Sequence, residues 1–484
     1  MPVRTSLARA RLRSKLADKK TMTRPRRSSS ITRRLSRVVI TEPAQPQHRV
    51  PSLFTQDPPI IDDLVTDSSK QQEQVIDDCV PLLSGFHDDT KLNKSGVPSL
   101  SHHQNRHVRY LKGGLGPLPS GFKAADASRP WFFYWSLNGL ALLGVDVAQY
   151  RVRLVDTARS IQNESGGFGG GFGQHSHLAT TYAMVLALAI VGGESAYEVI
   201  DRRAMWKWLG SLKQADGGFQ LTVGGEVDVR GAYCAAVLIR LLNLPLDLPP
   251  GSPLSASKGA NLFTDLAAYV RRCQTFEGGI SARPGAEAHG AYAFCALGCL
   301  AVLDAPNRIF PKYLDMPRLI SWLSSRQYAP EGGFCGRTNK LVDGCYSHWV
   351  GGCWPLIATA LQKSTTVDVD TNNLYSREGL IRYILCCCQD FSPRGGLRDK
   401  PTKTSDAYHT CYVLSGLSAA QHTHRLVFPE GDGEGMPWDF EMTQDTETRV
   451  YDAKDLLSTL DPVYVIPPKA KEDIMSYFSS KTGF

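Results

Sequence analysis

The 484-residue chain has no apolar run close to the ~20 residues that cross a bilayer. Its longest such stretch, near Ala183 to Val191, reads as a buried helix, so no membrane span is expected. The 12 cysteines include no C-x-x-C pair, and three are consecutive, Cys386 to Cys388, which excludes a zinc finger and a disulfide scaffold. No secretory apolar core opens the chain, so reduced thiols and a cytoplasmic protein are expected. Acidic residues are nearly missing from positions 1–40, where 13 Lys and Arg meet one acid, Asp18. That segment carries a net +12, so the other 444 residues carry −5 of the chain's total of +7. A mildly acidic body is a poor surface for nucleic acid, and no nucleic-acid partner is expected.

What is present divides the chain in two. Residues 1–62 combine the basic, Ser-rich start with five prolines between positions 41 and 62 and cannot bury a core, so they are expected to be a disordered tail. The same composition suits a solvated tail or an over-long gene product, a transit peptide, or a basic arm for an anionic surface. Residues 63–484 hold the glycine excess, much of it in pairs that begin at Gly166, Gly217, Gly278, Gly332 and Gly395. The pairs lie 51, 61, 54 and 63 residues apart, and each follows a glutamine: Gln162, Gln214, Gln274, Gln327, Gln389. Each is followed by a polar loop and then a tyrosine: Tyr182, Tyr233, Tyr292, Tyr346, Tyr412. From the tyrosine runs an apolar stretch such as YAMVLALAIV or YAFCALGCLAVL. Such stretches are apolar nearly all round and read as buried inner helices. The segments before each pair, such as AMWKWLGSLK, are amphipathic and read as outer helices. Five hairpins and an N-terminal one containing Trp131 to Leu143 predict an all-α fold, an α/α toroid forming one domain.

Three places before the tyrosines stand Ala179, Arg230, His289, Asp343 and His409, so one register carries ionisable residues around one funnel. Asp343 and His409 fall in neighbouring repeats at that register and are expected to meet. Gly344 lets the backbone turn both Asp343 and Cys345 inward. A carboxylate, a thiolate and an imidazole leave a tetrahedral Zn²⁺ one open position, which suits chemistry rather than structure. Arg337, Lys340 and His289 lie beside inner-helix N-termini, which favour anions such as a diphosphate. Trp131, Trp135, Trp349, Tyr233, Tyr292 and Tyr408 stand around the same mouths and suggest a tube for a long apolar diphosphate.

The stretches DASRPWFFYW, GGEVDVRGAYCA, EAHGAYAFC, LVDGCYSHW, SDAYHTCYVLSGL and DPVYVI resemble the β subunits of the protein farnesyltransferase family from about residue 63 onward. The resemblance implies an α6/α6 barrel and a heterodimer with a prenyltransferase α subunit. It implies transfer of farnesyl from farnesyl diphosphate to the cysteine of CaaX-terminated proteins through a zinc-bound thiolate. Carried onto this sequence, it makes Asp343, Cys345 and His409 zinc ligands, and Asp399, flanked by Lys400 and Lys403, a magnesium ligand. His289, Arg337, Lys340 and Tyr346 would hold the diphosphate. Trp131, Arg230, Tyr233, Tyr292, Cys295, Trp349 and Tyr412 would line the isoprenoid tube. Ser128, Trp131, Trp135, His177, Glu226, Arg230 and Tyr408 would meet the peptide. Bulky Trp131 and Tyr412, together with Asp399, favour the farnesyl over the geranylgeranyl type I β subunit.

Two departures stand out. His348 occupies a position usually held by Phe and is expected to pack, and Ala407 replaces an aromatic before Tyr408. A triterpene-cyclase-like toroid shares the Gln…Gly-Gly-Phe repeat but needs D-x-D-D. The nearest stretch, Asp368-Val369-Asp370-Thr371, lacks the last acid, and no D-D-x-x-D occurs. A catalytically dead binding scaffold would not need the intact Asp343, Cys345, His409 trio.

Overall fold

Helices with one apolar stripe alternate with helices that are apolar all round. In the computed structural model, residues 64–85, 92–93, 95–255, 258–362, 374–428, 437–445 and 450–481 are described. The expected N-terminal tail lies outside them. The first helix, α1 (Asp67–Leu83), precedes six hairpins, each with an outer helix leading to an inner one. They are α2 (Leu100–Gly114) with α3 (Arg129–Leu142), and α4 (Arg151–Ile161) with α5 (Leu178–Val191). After the short α6 (Glu194–Glu198) come α7 (Arg202–Leu212) with α8 (Val229–Leu241), then α9 (Leu266–Arg272) with α10 (Gly290–Leu303). After α11 (Pro306–Tyr313), α12 (Met316–Ser324) leads to a broken inner helix, α13 (Tyr346–Trp349) and α14 (Cys353–Leu361). Finally α15 (Arg377–Tyr383), prolonged by a π-helical turn over Ile384–Cys388, pairs with α16 (Ala407–Gln421). Each inner helix packs on the next, and α16 returns to α3, closing the ring.

Burial separates the two layers. In α5 every residue except Ala179 is buried, whereas in α4 only Leu154, Val155, Ala158 and Ile161 are. A repeat that exposes such an inner helix could not stand alone, since each buried Leu or Val side chain gains roughly 1.5–3 kcal/mol only once its neighbours cover it.

The glycine pairs make tight turns after the outer helices rather than capping them. Gly166 takes φ +98°, and a Cβ there would overlap the Ala204 carbonyl of the following outer helix. The accompanying glutamines bracket adjacent repeats. Gln162 Oε1 accepts from the Asp201 amide at 2.9 Å, Gln274 Oε1 from Asp315 at 2.8 Å, and Gln327 Oε1 from Ser376 at 2.7 Å, each at the N-cap of the next outer helix. In the third repeat Lys213, not Gln214, takes this place. It pairs with Phe219 as Gln162 pairs with Phe168, and its Nζ donates to the Gly217 and Thr264 carbonyls at 2.8 and 2.7 Å.

Two features were not foreseen. An antiparallel hairpin of β1 (His422–Val427) and β2 (Asp439–Gln444) follows the last inner helix. The C-terminal segment, ending in α17 (Pro468–Ser479), covers the C-terminal ends of the inner helices. The Ser458 amide donates to Leu142 O at 3.1 Å, and Tyr233 and Tyr134 donate their hydroxyl protons to the Val463 and Val465 carbonyls at 2.6 and 2.9 Å. The lumen is therefore plugged at that end. No helix among the described residues is long and apolar enough to cross a membrane.

One buried group gives the fold a pH dependence. Glu331 in the fifth repeat is fully buried, accepts from Gln72 Nε2 on α1 at 2.5 Å, and has no partner for Oε2. Burial pushes its carboxyl up to about 7. A carboxyl raised from an ordinary 4.5 favours the folded state below pH 4.5 and loses that contribution as pH rises through 7. Glu331→Gln is expected to be more stable than the parent by about 3 kcal/mol at pH 8 and indistinguishable from it near pH 4.5. Paired thermal melts at the two pH values measure this, and equal melting temperatures at pH 8 would rule it out.

Candidate active site and metal centre

The N-caps of the inner helices define the mouth of the barrel. The caps His177, Asp228 and His289, and Asp343 two residues before the Cys345 cap of α13, each accept, through a side-chain N or O, the amide two residues on. Asp406 takes the same place on α16 and accepts from the His409 amide at 2.7 Å. This register differs from the one read off the tyrosines. The cap aligned with Asp343 is Asp406, and His409 lies about one helical turn inside α16. The tyrosines fall three to six residues beyond these caps and share no single depth.

The three expected ligands nevertheless converge, because the extra turn lets the longer imidazole reach back to the mouth. One ligand atom each from Asp343, Cys345 and His409 lies within 4.8 Å of the others. Among the described residues no other such group of three occurs. Gly344 makes the loop possible, since its amide donates to Asp399 O at 2.6 Å and a Cβ there would lie 2.6 Å from Arg398 O.

Electrostatics fit a cation at this point. His409 Nδ1 bonds Asp406 Oδ2 at 2.6 Å, which fixes the ring and turns Nε2 toward the cluster. Nε2 is 3.2 Å from Asp343 Oδ1 yet is buried with no hydrogen bond. Burial opposes a charged ring, but the Asp343 and Asp406 carboxylates outweigh it and push His409 up to about 10. Burial, and then the Asp343 charge, hold the Cys345 thiol well above its ordinary range. A metal-free site thus keeps its protons, and a divalent ion would displace them. The orphaned nitrogen, the oriented imidazole and a hard–soft donor mixture fit Zn²⁺.

The diphosphate candidates gather beside it. His289 Nδ1 accepts the Ala291 amide at 3.0 Å and Nε2 meets the Tyr346 hydroxyl at 3.1 Å. Burial first, and Arg337 second, push His289 down to about 4, so it offers a neutral N–H and not the positive charge expected of it. Arg337 pairs with Glu287 at 3.2 Å and keeps a buried Nε without a partner, while Lys340 is exposed. The Asp399 carboxylate pairs with Lys400, and burial with the nearby Asp343 raises its pKa. One carboxylate is too few for Mg²⁺ unless substrate phosphates complete the shell. Lys403 is exposed on the same loop.

Around the axis the rings close on themselves. Trp131 meets Tyr182 at 6.1 Å, Tyr182 meets Tyr233 at 5.5 Å, Tyr233 meets Phe294 at 5.9 Å, and Phe294 meets Trp349 at 5.7 Å. Trp349 meets Tyr412 at 4.5 Å, Tyr412 meets Tyr408 at 5.0 Å, Tyr408 meets Trp135 at 5.6 Å, and Trp135 returns to Trp131 at 5.6 Å. Every inner helix contributes to this girdle. Tyr292 stands above it against His289 at 5.1 Å, and Cys295 is buried in the wall. His348 packs as expected, 4.4 Å from the Phe294 ring and 5.0 Å from Tyr412, so it is no metal ligand. Ala407 heads α16.

The peptide candidates share one sector of the mouth. Arg230 pairs with Asp228 at 2.5 Å and with Glu226 at 3.6 Å, and burial lowers the pKa of the His177 ring beside them, the two acids opposing it only in part. Ser128 ends the turn before α3. The residue-by-residue reading missed Asp406, Asp228, Tyr182 and Phe294. The first two are helix N-caps, legible only once the true cap register is known.

A family model described as the prenyltransferase alpha-alpha toroid domain matches residues 103–466. The protein farnesyltransferase subunit beta of Pyricularia oryzae is 60% identical over 442 residues, covering 90% of this chain and 85% of that one. That of Schizosaccharomyces pombe is 37% identical over 419 residues, covering 87% and 98%. In fold the chain is like Candida albicans protein geranylgeranyltransferase-I complexed with GGPP, with TM-score 0.58 and 21% identity over 79% of this chain and 99% of that one. By its toroid and by these relatives, the chain belongs to the protein farnesyltransferase β-subunit family.

Proposed function

We propose that this chain, as a cytoplasmic heterodimer with a prenyltransferase α subunit, transfers farnesyl from farnesyl diphosphate to the cysteine of CaaX-terminated proteins. The observation that carries this reading is the Asp343, Cys345, His409 cluster at the rim of an aromatic lumen plugged at its far end. Zn²⁺ held by these three residues would supply a site where a substrate sulfur stays thiolate at neutral pH. Asp399 would help hold Mg²⁺ on the diphosphate.

The chain's own groups account for binding and orientation. The lumen takes the apolar chain, worth roughly 25 cal/mol per Å² removed from water. Trp131, Tyr233, Cys295, Trp349 and Tyr412, with Tyr292 and the Arg230 stem nearer the mouth, form its wall. Arg337 and Lys340 place positive charge where the leaving diphosphate gains negative charge. His289 Nδ1 is occupied by the Ala291 amide, so its proton is on Nε2 and goes to the Tyr346 oxygen. Tyr346 is then free to donate its own proton to a diphosphate oxygen. Ser128, Trp135 and Tyr408 would meet the peptide, with His177, Glu226 and Arg230 toward its terminal carboxylate.

Co-expression with an α subunit tests the proposal. Transfer to a CaaX peptide is expected with farnesyl diphosphate in preference to geranylgeranyl diphosphate, and to stop after chelation. Trp131 adjoins Tyr134 and Tyr182 beside the plug. Trp131→Thr should therefore shift the preference toward the C20 substrate by at least tenfold, on the order of 1.4 kcal/mol. Chelator-insensitive transfer would refute the metal-dependent reading, and an unchanged preference would remove Trp131 from the floor of the tube.

A further inference from the structure

The loop between α12 and α13, which carries Arg337 and Lys340, is pinned on both sides of Arg337. On one side the Gly336 carbonyl accepts the Gly290 amide at 2.8 Å, and a Cβ on Gly336 would overlap the Tyr346 ring. On the other side the Thr338 hydroxyl lies 2.9 Å from Arg326 Nη1 and 3.3 Å from Glu277 Oε2. A guanidinium only donates, so the Thr338 oxygen accepts from Arg326 and its single proton goes to the Glu277 carboxylate. The same carboxylate oxygen accepts from Trp322 Nε1 at 3.2 Å. Arg326 is buried, and among the described residues no carboxylate pairs with it directly. Its guanidinium lies 4.7 Å over the Trp322 ring and its Nε donates to Trp322 O at 3.2 Å, which fixes it in place.

We propose that Thr338 is a positioning residue for diphosphate binding: by bridging the buried Arg326 to Glu277 of the fourth repeat, its hydroxyl holds the loop in the shape that presents Arg337 and Lys340 to the diphosphate. The inference rests on the reading of Arg337 and Lys340 given above. The bridge gives a buried, charged donor an acceptor, and leaving such a donor unpaired is costly, so the loop cannot drift from Arg326 freely. It also anchors the backbone next to Asn339, which takes a left-handed φ of +59° between Thr338 and Lys340. The Arg337 side chain itself is held only by Glu287 at 3.2 Å, an exposed pair that by its nature fixes little. The hydroxyl one residue on is therefore the stronger restraint on where Arg337 sits.

The test measures ligand binding to the purified heterodimer by quenching of the lumen tryptophans. Thr338→Val keeps the shape of the side chain and removes the hydroxyl, whereas Thr338→Ser keeps the hydroxyl. Farnesyl diphosphate is expected to bind Thr338→Val about tenfold more weakly than the parent, as for one lost hydrogen bond to a charged group, and Thr338→Ser as tightly as the parent. Farnesol, which fills the lumen without a charged end, should bind both variants as it binds the parent. That contrast separates positioning from a general loosening, which would weaken both ligands alike. Parental affinity for farnesyl diphosphate in Thr338→Val, an equal loss in Thr338→Ser, or an equal loss for farnesol would overturn the inference. Parental affinity in Arg337→Ala and Lys340→Ala would instead overturn the underlying reading of the diphosphate site.

Discussion

Cys345→Ala is expected to abolish both stoichiometric zinc and farnesyl transfer. The thiolate is the softest donor of the three, and its removal leaves one carboxylate and one imidazole, two ligands short of a tetrahedral shell. Losing an outer-shell partner typically costs 10–100-fold in metal affinity, so losing this inner ligand should exceed ~100-fold. The fold should survive, because the side chain is small, alanine keeps its Cβ, and Gly344 still makes the bond that shapes the loop. Metal content per chain, measured with the melting temperature, separates the two effects. One zinc per chain and parental transfer rates in Cys345→Ala would end the case for this centre.

The second large effect is on the ring itself. Gly416 lies where α16 crosses α13, and a Cβ on it would overlap the carbonyl carbon and Cβ of Ser347. Neither is the free end of a flexible side chain, so the two inner helices would have to separate. Overpacking of this kind usually costs 1–3 kcal/mol, and a clash with backbone belongs at or above the top of that range. Gly416→Ala is therefore expected to lose about 3 kcal/mol or more of stability. Because α13 follows directly on Cys345 and carries Tyr346 and Trp349, weaker zinc retention should accompany the loss. Unchanged melting and zinc retention would mean that the α13–α16 contact opens at little cost.

Much of this was legible before any coordinates. The glycine pairs, their glutamines and the apolar runs identify the hairpin repeat, because each unit needs the same tight turn, the same bracket and the same buried helix. The donor types at Asp343, Cys345 and His409 were legible for a chemical reason, a mixed set with one position to spare. The register was not. Counting back from the tyrosines puts Asp343 beside His409, whereas the helix caps put it beside Asp406. The residues still meet because an imidazole one turn down the helix reaches the mouth. His289 kept its place but not its charge, since burial next to Arg337 is a property of packing.

What the sequence by itself determined is therefore the repeat, the two-layer helical architecture and the chemical inventory of the site, since periodicity and residue type are local properties. What only the tertiary structure decided is which cap faces which, that the girdle of rings is continuous, and that the C-terminal segment plugs the lumen. Those depend on contacts between residues far apart in the chain, such as Tyr134 with Val465, 331 residues apart. No local pattern encodes such contacts, because ring closure brings together elements that share no sequence window.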